Sequence, residues 1–201
     1  MSCCLRRSSS GSAPLLVTGA VGFFGADALA GYGIASRLDY LLIPLLFGLG
    51  TAVVTMVGTN IGAGAMPRAR RIAWTGALLA ALATAAIGAF VAIFPTAWLG
   101  LFSSEANVLA TGTLYLQIVG PTYGFVGLGM LLYFASQGAD RVLWPVLAGT
   151  VRLTIAALFG WTAVAWLGFG ESTLFAVVAV GAAMFGGLVA LATCLQSWGA
   201  K

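Results

Sequence analysis

Several residues of this chain combine a polar or helix-breaking character with a position in, or at the rim of, a long uncharged stretch. A carboxylate, guanidinium or amide among apolar residues can bind an ion or a polar solute, because such a group needs a partner in hydrocarbon. A proline inside a helix frees the carbonyl four residues earlier, which can then face a ligand or water. These candidates for a transport path or a gate are Arg37, Asp39, Tyr40, Pro44, Asn60, Gln117, Pro121, Gln137 and Arg152.

Each candidate also has an ordinary structural interpretation. Arg152 lies about 12 Å along a helix from Trp144, so its head either snorkels to the interface or pairs with an acid or a freed carbonyl. Arg37 and Asp39 lie at the outer rim of their predicted span, where they form either an interfacial ion pair or a gate. The two prolines mark either a transport path or a packing kink.

The amino-acid composition indicates the class of protein in which these residues lie. Of 201 residues, 61% are hydrophobic and 7% are charged, whereas a soluble domain is about 45–50% apolar and about 25% charged. The chain is therefore an integral membrane protein. The sequence has no His, and its spans hold no paired carboxylates, metal-ligand motif or nucleophile with a base, so we expect neither an enzyme nor a cofactor or metal. The few, scattered basic residues exclude a nucleic-acid groove.

The uncharged stretches predict an all-α polytopic bundle, because about 20 apolar residues as helix cross a bilayer. Five full spans and one incomplete N-terminal span are expected within a membrane lobe at 14–197. A disordered leader at 1–13 precedes the lobe, and a short tail at 198–201 follows it. The incomplete span lies at 14–26, and the full spans lie near 38–61, 72–94, 109–137, 143–167 and 174–195.

Basic residues in alternate loops predict the orientation. One side holds only Arg37; the other holds Arg6, Arg7, Arg68, Arg70, Arg71, Arg141 and Lys201. Both termini are then cytoplasmic in a plasma (inner) membrane protein. The start of the chain also resembles a cleavable signal peptide, an alternative that the pattern leaves open.

The order of several motifs resembles the multidrug and toxic compound extrusion (MATE) family. The motifs are ALAGYGIASRL at 28–38, VGTNIGAG at 57–64, RARR at 68–71, Phe94-Pro95, LFS at 101–103, YLQIVGP at 115–121 and FASQGA at 134–139. Together they cover roughly residues 15–195, and their order and spacing are more specific than any one of them. The resemblance implies one lobe, the second, of a transporter with about twelve helices in two six-helix lobes.

The resemblance also implies a function. Members of this family export organic cations or drugs in antiport with protons or sodium, by alternating access around a central cavity. The coupling ion is usually held by buried carboxylates, and the sequence suggests no acid at mid-membrane depth here. The expected partners are a small organic cation, a proton or sodium ion, the lipid bilayer and a second six-helix lobe in cis or in trans.

Two alternatives stay open at this stage. One is a lobe of a related flippase for lipid-linked oligosaccharides, which would need several cations in its cavity. The other is a membrane subunit that does not transport. Because one lobe has no counterpart to rock against, we expect the chain to transport only when it pairs with another lobe.

Overall fold

The computed structural model describes residues 18–19, 21–22, 25–140, 147, 149–150 and 170–195. The predicted leader, most of the incomplete first span, most of the span at 143–167 and the tail lie outside the described residues. Arg152 lies outside them too.

Long helices make up the described part of the chain. They are α1 (Ala26–Gly62), α2 (Met66–Ile93), the short α3 (Pro95–Leu99), α4 (Ala106–Val119), α5 (Tyr123–Gly138) and α6 (Glu171–Leu195). A 3₁₀ turn at Gly120–Thr122 joins α4 to α5. Four segments are long and apolar enough to cross a membrane: α1, α2, α4 with α5, and α6. The chain is thus a helical membrane bundle.

Helix α1 begins at Ala26, not at Leu38 as the charges predict. The segment before Leu38 is rich in good helix formers such as Ala28, Leu29 and Ala30, and Asp27 lies in the first turn, where the helix dipole favours an acid. Charged residues limit a membrane span, but they do not end a helix. At 37 residues, α1 is about 55 Å long, well beyond the roughly 30 Å of hydrocarbon.

The predicted single helix at 109–137 is divided by the turn at Gly120–Thr122. Pro121 has no N–H to donate, so the α-helical pattern cannot pass through it intact. The Tyr123 N–H bonds instead to the Gly120 carbonyl, and the Thr122 hydroxyl donates to the Val119 carbonyl at 2.7 Å. The chain therefore continues in nearly the same direction, and α4 with α5 forms one long segment.

Two turns define the ends of the bundle. At the Arg68 end, α1 stops at Gly62 and Gly64 adopts a positive φ of 71°, which lets the chain reverse into α2. At the Glu105 end, the segment 94–105 connects α2 to α4 and contains α3. Helix α2 runs from the Arg68 end to the Glu105 end, and the other long helices run the opposite way.

A seam of small residues joins α2 to α4 and α5. We call Gly88, Gly120, Gly124 and Gly127 the glycine seam. A Cβ atom at Gly88 would overlap the Gly120 carbonyl oxygen, and one at Gly127 would lie 2.9 Å from the Ala80 carbonyl oxygen. Such close approach is how membrane helices gain packing contacts when lipid removes the hydrophobic drive for association.

Candidate functional site

A carboxylate lies between the helices in the half of the bundle nearer the Glu105 end. Asp39 is on α1, about 35 Å along the helix from Gly62 and about 20 Å from Ala26. Its Oδ2 accepts a hydrogen bond of 2.7 Å from the hydroxyl of Tyr115 on α4, and its Oδ1 is buried. The sequence predicts that Asp39 lies at the rim of its helix. That prediction is wrong, because α1 continues for more than three turns on the N-terminal side of Asp39.

Aromatic side chains from four helices surround this carboxylate. Tyr32 lies two turns before Asp39 on α1, and its ring meets the Tyr115 ring edge-on at 5.3 Å between centroids. Phe175 of α6 stacks on Tyr32 at 6.3 Å and meets Tyr115 edge-on at 5.2 Å. Tyr123, at the start of α5, lies within electrostatic reach of Asp39. We call these five residues the tyrosine pocket.

The pocket combines a charge with hydroxyl groups in an otherwise apolar interior. Its neighbours include buried Leu38, Leu42, Val91 and Leu174. An ionised carboxylate there needs hydrogen-bond donors, since burying an unpaired charge is costly. Phenol hydroxyls supply such donors while their rings fill apolar space. Such an arrangement can stabilise an ionised carboxylate, let the carboxyl group take up and release a proton, or bind a monovalent cation next to it.

Arg37 and Asp39 are the two charged residues, among those described, that lie far from both ends of a long helix. Residues two positions apart on a helix do not face each other. The Arg37 guanidinium carbon lies 5.3 Å from the ring centroid of Phe102, in the segment after α3. Asp39 faces Tyr115 instead, so the contacts of the two side chains favour two separate sites over the predicted rim ion pair.

Of the other α1 candidates, two lie close to the pocket along the chain and one lies near the far end of the helix. Tyr40 is 58% exposed, on a different side of the helix from the buried stripe. Pro44 lies inside α1 and deprives the Tyr40 carbonyl of its helical donor. Asn60 lies near the Arg68 end, where its Nδ2 donates to the Met56 carbonyl at 2.7 Å.

The remaining described candidates lie on α4, on α5 and between them. Gln117, Pro121 and Gln137 are all exposed. Gln137 lies at the Arg68 end of α5, far from Asp39, whereas Gln117 and Pro121 follow Tyr115 closely. The structure thus does not gather the predicted residues into one cluster, and they stay candidates for the transport path or gate.

The tyrosines are the functional candidates that the sequence analysis missed. Tyr32 and Asp39 are seven residues apart, which places them on one face of a helix. The spacing can be seen in the sequence, but it has this meaning only within a helix. The predicted spans at 14–26 and 38–61 place Tyr32 in a loop. Tyr115 and Tyr123 lie on either side of Pro121, and the sequence does not show that either one approaches α1.

No group of three or more His, Cys, Asp or Glu side chains able to hold a metal ion occurs in the described ranges. A divalent site built from several carboxylates is therefore not found in this part of the chain. Asp39 and its tyrosines form the one-carboxylate arrangement described above.

Comparisons with known proteins agree with this architecture. The MatE family model matches residues 10–162. The probable multidrug resistance protein YpnP of Bacillus subtilis (strain 168) is 28% identical over 159 residues, which cover 77% of this chain and 35% of that protein. The probable multidrug resistance protein NorM of Burkholderia pseudomallei (strain K96243) is 30% identical over 133 residues, which cover 64% of this chain and 28% of that protein. The chain thus spans about a third of the length of these relatives.

Solved structures share the fold. A mutant of the Vibrio cholerae MATE transporter VcmN superposes with a TM-score of 0.82 at 21% identity, covering 91% of this chain and 42% of that one. The MATE transporter ClbM in complex with Rb⁺ gives a TM-score of 0.76 at 20% identity and the same coverage. With most of its length matched by the family model and its helices arranged as in these transporters, the chain belongs to the MATE family.

Proposed function

We propose that this chain forms one lobe of a secondary transporter that exports organic cations or drugs in antiport with protons or sodium. The observation that supports the proposal best is the tyrosine pocket, which places one carboxylate and a hydroxyl donor among apolar side chains. A buried ionisable residue between membrane helices is by default a candidate for a functional site. Membership of the MATE family supports a transporter.

In this proposal Asp39 is the coupling group. When the carboxyl group is ionised, Tyr115 donates to it across the gap between α1 and α4. Uptake of a proton, or contact with a sodium ion, changes which hydrogen bonds the carboxyl oxygens accept. Because the partners lie on different helices, the change alters the balance between two packings of α1 against α4 and α6. Ion binding can then bias alternating access.

A second lobe completes the transporter in cis or in trans. Helix α1 buries one stripe, and its exposed side carries three threonines beside large apolar side chains such as Leu45 and Met56. The Thr51, Thr55 and Thr59 hydroxyls on that face bond to their own helix backbone, so they can lie against protein or line a path without further partners. We assign this face to the cavity between the lobes.

The charges at the two ends of the bundle support an orientation. Arg68, Arg70 and Arg71 lie at one end, and Asp27, Glu105 and Glu171 lie at the other. By the positive-inside rule the Arg68 end faces the cytoplasm of a plasma (inner) membrane protein. Cysteines placed at Met66 and Ser104 in a cysteine-free chain should react with an impermeant reagent from opposite sides. Reaction of both from one side contradicts the topology.

Infrared difference spectroscopy on the purified full chain tests the coupling role. Acidification, or sodium at constant pH, should change a carboxyl band that disappears in Asp39→Asn. The matched control is Asp27→Asn, since Asp27 is also on α1 but exposed at its end, beside Asn107. A band that survives Asp39→Asn and disappears in Asp27→Asn would contradict the assignment.

A vesicle assay tests transport itself. Ethidium export driven by a proton or sodium gradient should require the chain together with a second lobe, and Asp39→Asn should abolish its dependence on the gradient. Gradient-coupled export by the purified, monomeric 201-residue chain would overturn the requirement for a partner. A paired assembly without export would favour the subunit that does not transport.

A further inference from the structure

We propose that Trp98 and Phe102 form a binding site for a bulky organic cation, and that the Arg37 guanidinium occupies this site as an internal competitor. We call Arg37, Trp98 and Phe102 the aromatic clasp. The inference rests on the proposed function only for the chemical class of the ligand. The site itself is separate from the tyrosine pocket and lies at the Glu105 end.

The geometry of the clasp matches recognition of a cation by aromatic faces. The guanidinium carbon of Arg37 lies 5.3 Å from the centroid of the Phe102 ring, within the range in which a ring attracts a positive charge. The Trp98 and Phe102 rings are 5.3 Å apart and tilted by 59°. A bulky cation that replaces the guanidinium at the Phe102 ring therefore lies next to the Trp98 ring as well.

The indole of Trp98 is held in place. Its Nε1 donates to the Ile34 carbonyl on α1 at 3.3 Å, one turn from Arg37. The clasp therefore fastens the segment between α2 and α4 to α1 through one hydrogen bond and one cation–π contact. Losing the Arg37 contact leaves the indole bonded, so the rings remain available when the arginine side chain moves away.

Exposure makes the site accessible. Phe102 is 44% exposed and Tyr40, on the next turn of α1, is 58% exposed; Arg37 is exposed as well. A cation–π contact at an exposed site is weak, and the arginine side chain is long and flexible. A more weakly hydrated cation such as tetraphenylphosphonium loses less solvation on binding and can replace the guanidinium at the rings.

Equilibrium dialysis of radiolabelled tetraphenylphosphonium against the purified full chain, without any ion gradient, tests the proposal. Arg37→Gln should tighten binding by about two- to five-fold, because it removes the competitor. Arg37→Lys should retain the wild-type affinity, because an ammonium group can also occupy the rings. Arg68→Gln is the matched control at the opposite end of the bundle and should leave the affinity unchanged.

A second pair of variants separates competition from a general effect of charge. Phe102→Leu should weaken binding, and Phe102→Tyr, which keeps the ring, should restore it. In the Phe102→Leu chain, Arg37→Gln should no longer tighten binding. Equal tightening with and without the ring would show that removal of a positive charge acts at long range, and would overturn the proposal. Unchanged affinity in Arg37→Gln would overturn it too.

This experiment is independent of transport. A chain that binds the cation in the predicted pattern but does not export it supports the clasp and contradicts the proposed antiport. In the opposite outcome, an assembly exports ethidium, but the Arg37 and Phe102 variants bind tetraphenylphosphonium with wild-type affinity. That result supports the proposed antiport and contradicts the clasp. Size-exclusion chromatography of each variant checks that the chain remains folded.

Discussion

The glycine seam and the tyrosine pocket are neighbours with opposite chemistry. In the seam, α2 approaches α5 until backbone atoms and small side chains touch. In the pocket, three tyrosines and a phenylalanine from α1, α4, α5 and α6 surround a carboxylate, although α1 and α4 also approach closely nearby, where a Cβ atom on Gly31 would lie 2.5 Å from the Val108 carbonyl oxygen. The seam is closely packed, whereas in the proposed mechanism the hydrogen bonds of the pocket change with the protonation of Asp39.

The two regions meet at Tyr123. Its Cβ lies 3.2 Å from where a Cβ on Gly88 would be, and its ring belongs to the pocket. In the proposed mechanism, the close contact of α2 with α5 stays fixed, while the hydrogen bond between α1 and α4 responds to the ion. The two regions therefore differ in how easily their packing can change, and substitutions in the two regions should have different consequences.

The largest effect on stability is expected from filling the seam. Gly127→Leu places a branched side chain against Thr84 and the Ala80 carbonyl, and backbone cannot move aside cheaply. We expect a loss of about 3 kcal/mol of unfolding free energy, measured by denaturation of the purified chain in mixed micelles. Gly33→Leu is the control, because Gly33 is exposed and a Cβ atom added there would have no neighbour within 4 Å. Equal losses at the two positions would remove the distinction between the seam and the rest of the bundle.

A smaller effect is expected from removing the hydroxyl group that serves the carboxylate. Tyr115→Phe keeps the ring against Tyr32 and Phe175 but deletes the donor to Asp39. We expect a loss of about 1–2 kcal/mol in the same unfolding assay. Tyr133→Phe, on α5 and outside the pocket, should cost less.

A double-substitution cycle sharpens this prediction. If the hydrogen bond accounts for the loss, Tyr115→Phe should cost much less in an Asp39→Ala chain, which has no side-chain acceptor, than in the wild type. The same cost in both chains would mean that the hydroxyl acts through other neighbours. The pocket would then be a packed aromatic cluster rather than a site for a charge.

The sequence alone is informative about the seam and much less so about the pocket. Uncharged length and the small-residue spacing of Gly120 and Gly124 predict membrane helices that pack closely, and Gly120 and Gly124 do contact α2. Gly58 approaches α5 only at Gly138, and Gly62 has nothing near it. Spacing thus identifies residues able to form a close contact, without deciding which of them form it.

The pocket needs information that periodicity does not contain. Hydropathy locates Asp39 at the edge of an apolar run, which is correct for the run, but α1 extends past the edge because its preceding residues favour helix. The partner Tyr115 is 76 positions away in sequence. Only the parallel packing of α1 against α4 brings the two together, and that packing follows from the whole bundle.

The smallest effect is expected where the segment 94–105 is attached to α1. Trp98→Phe keeps an aromatic ring next to Phe102 but loses the hydrogen bond to the Ile34 carbonyl, which at 3.3 Å is long. We expect a cost of about 0.5 kcal/mol, because the carbonyl retains its place in the helix. Hydrogen exchange should increase in the segment 94–105 and remain unchanged in the glycine seam. Equal increases in both regions would mean that the segment 94–105 belongs to the same rigid unit as the glycine seam. The boundary between the adaptable and the rigid region would then lie at α3 and not at Tyr123.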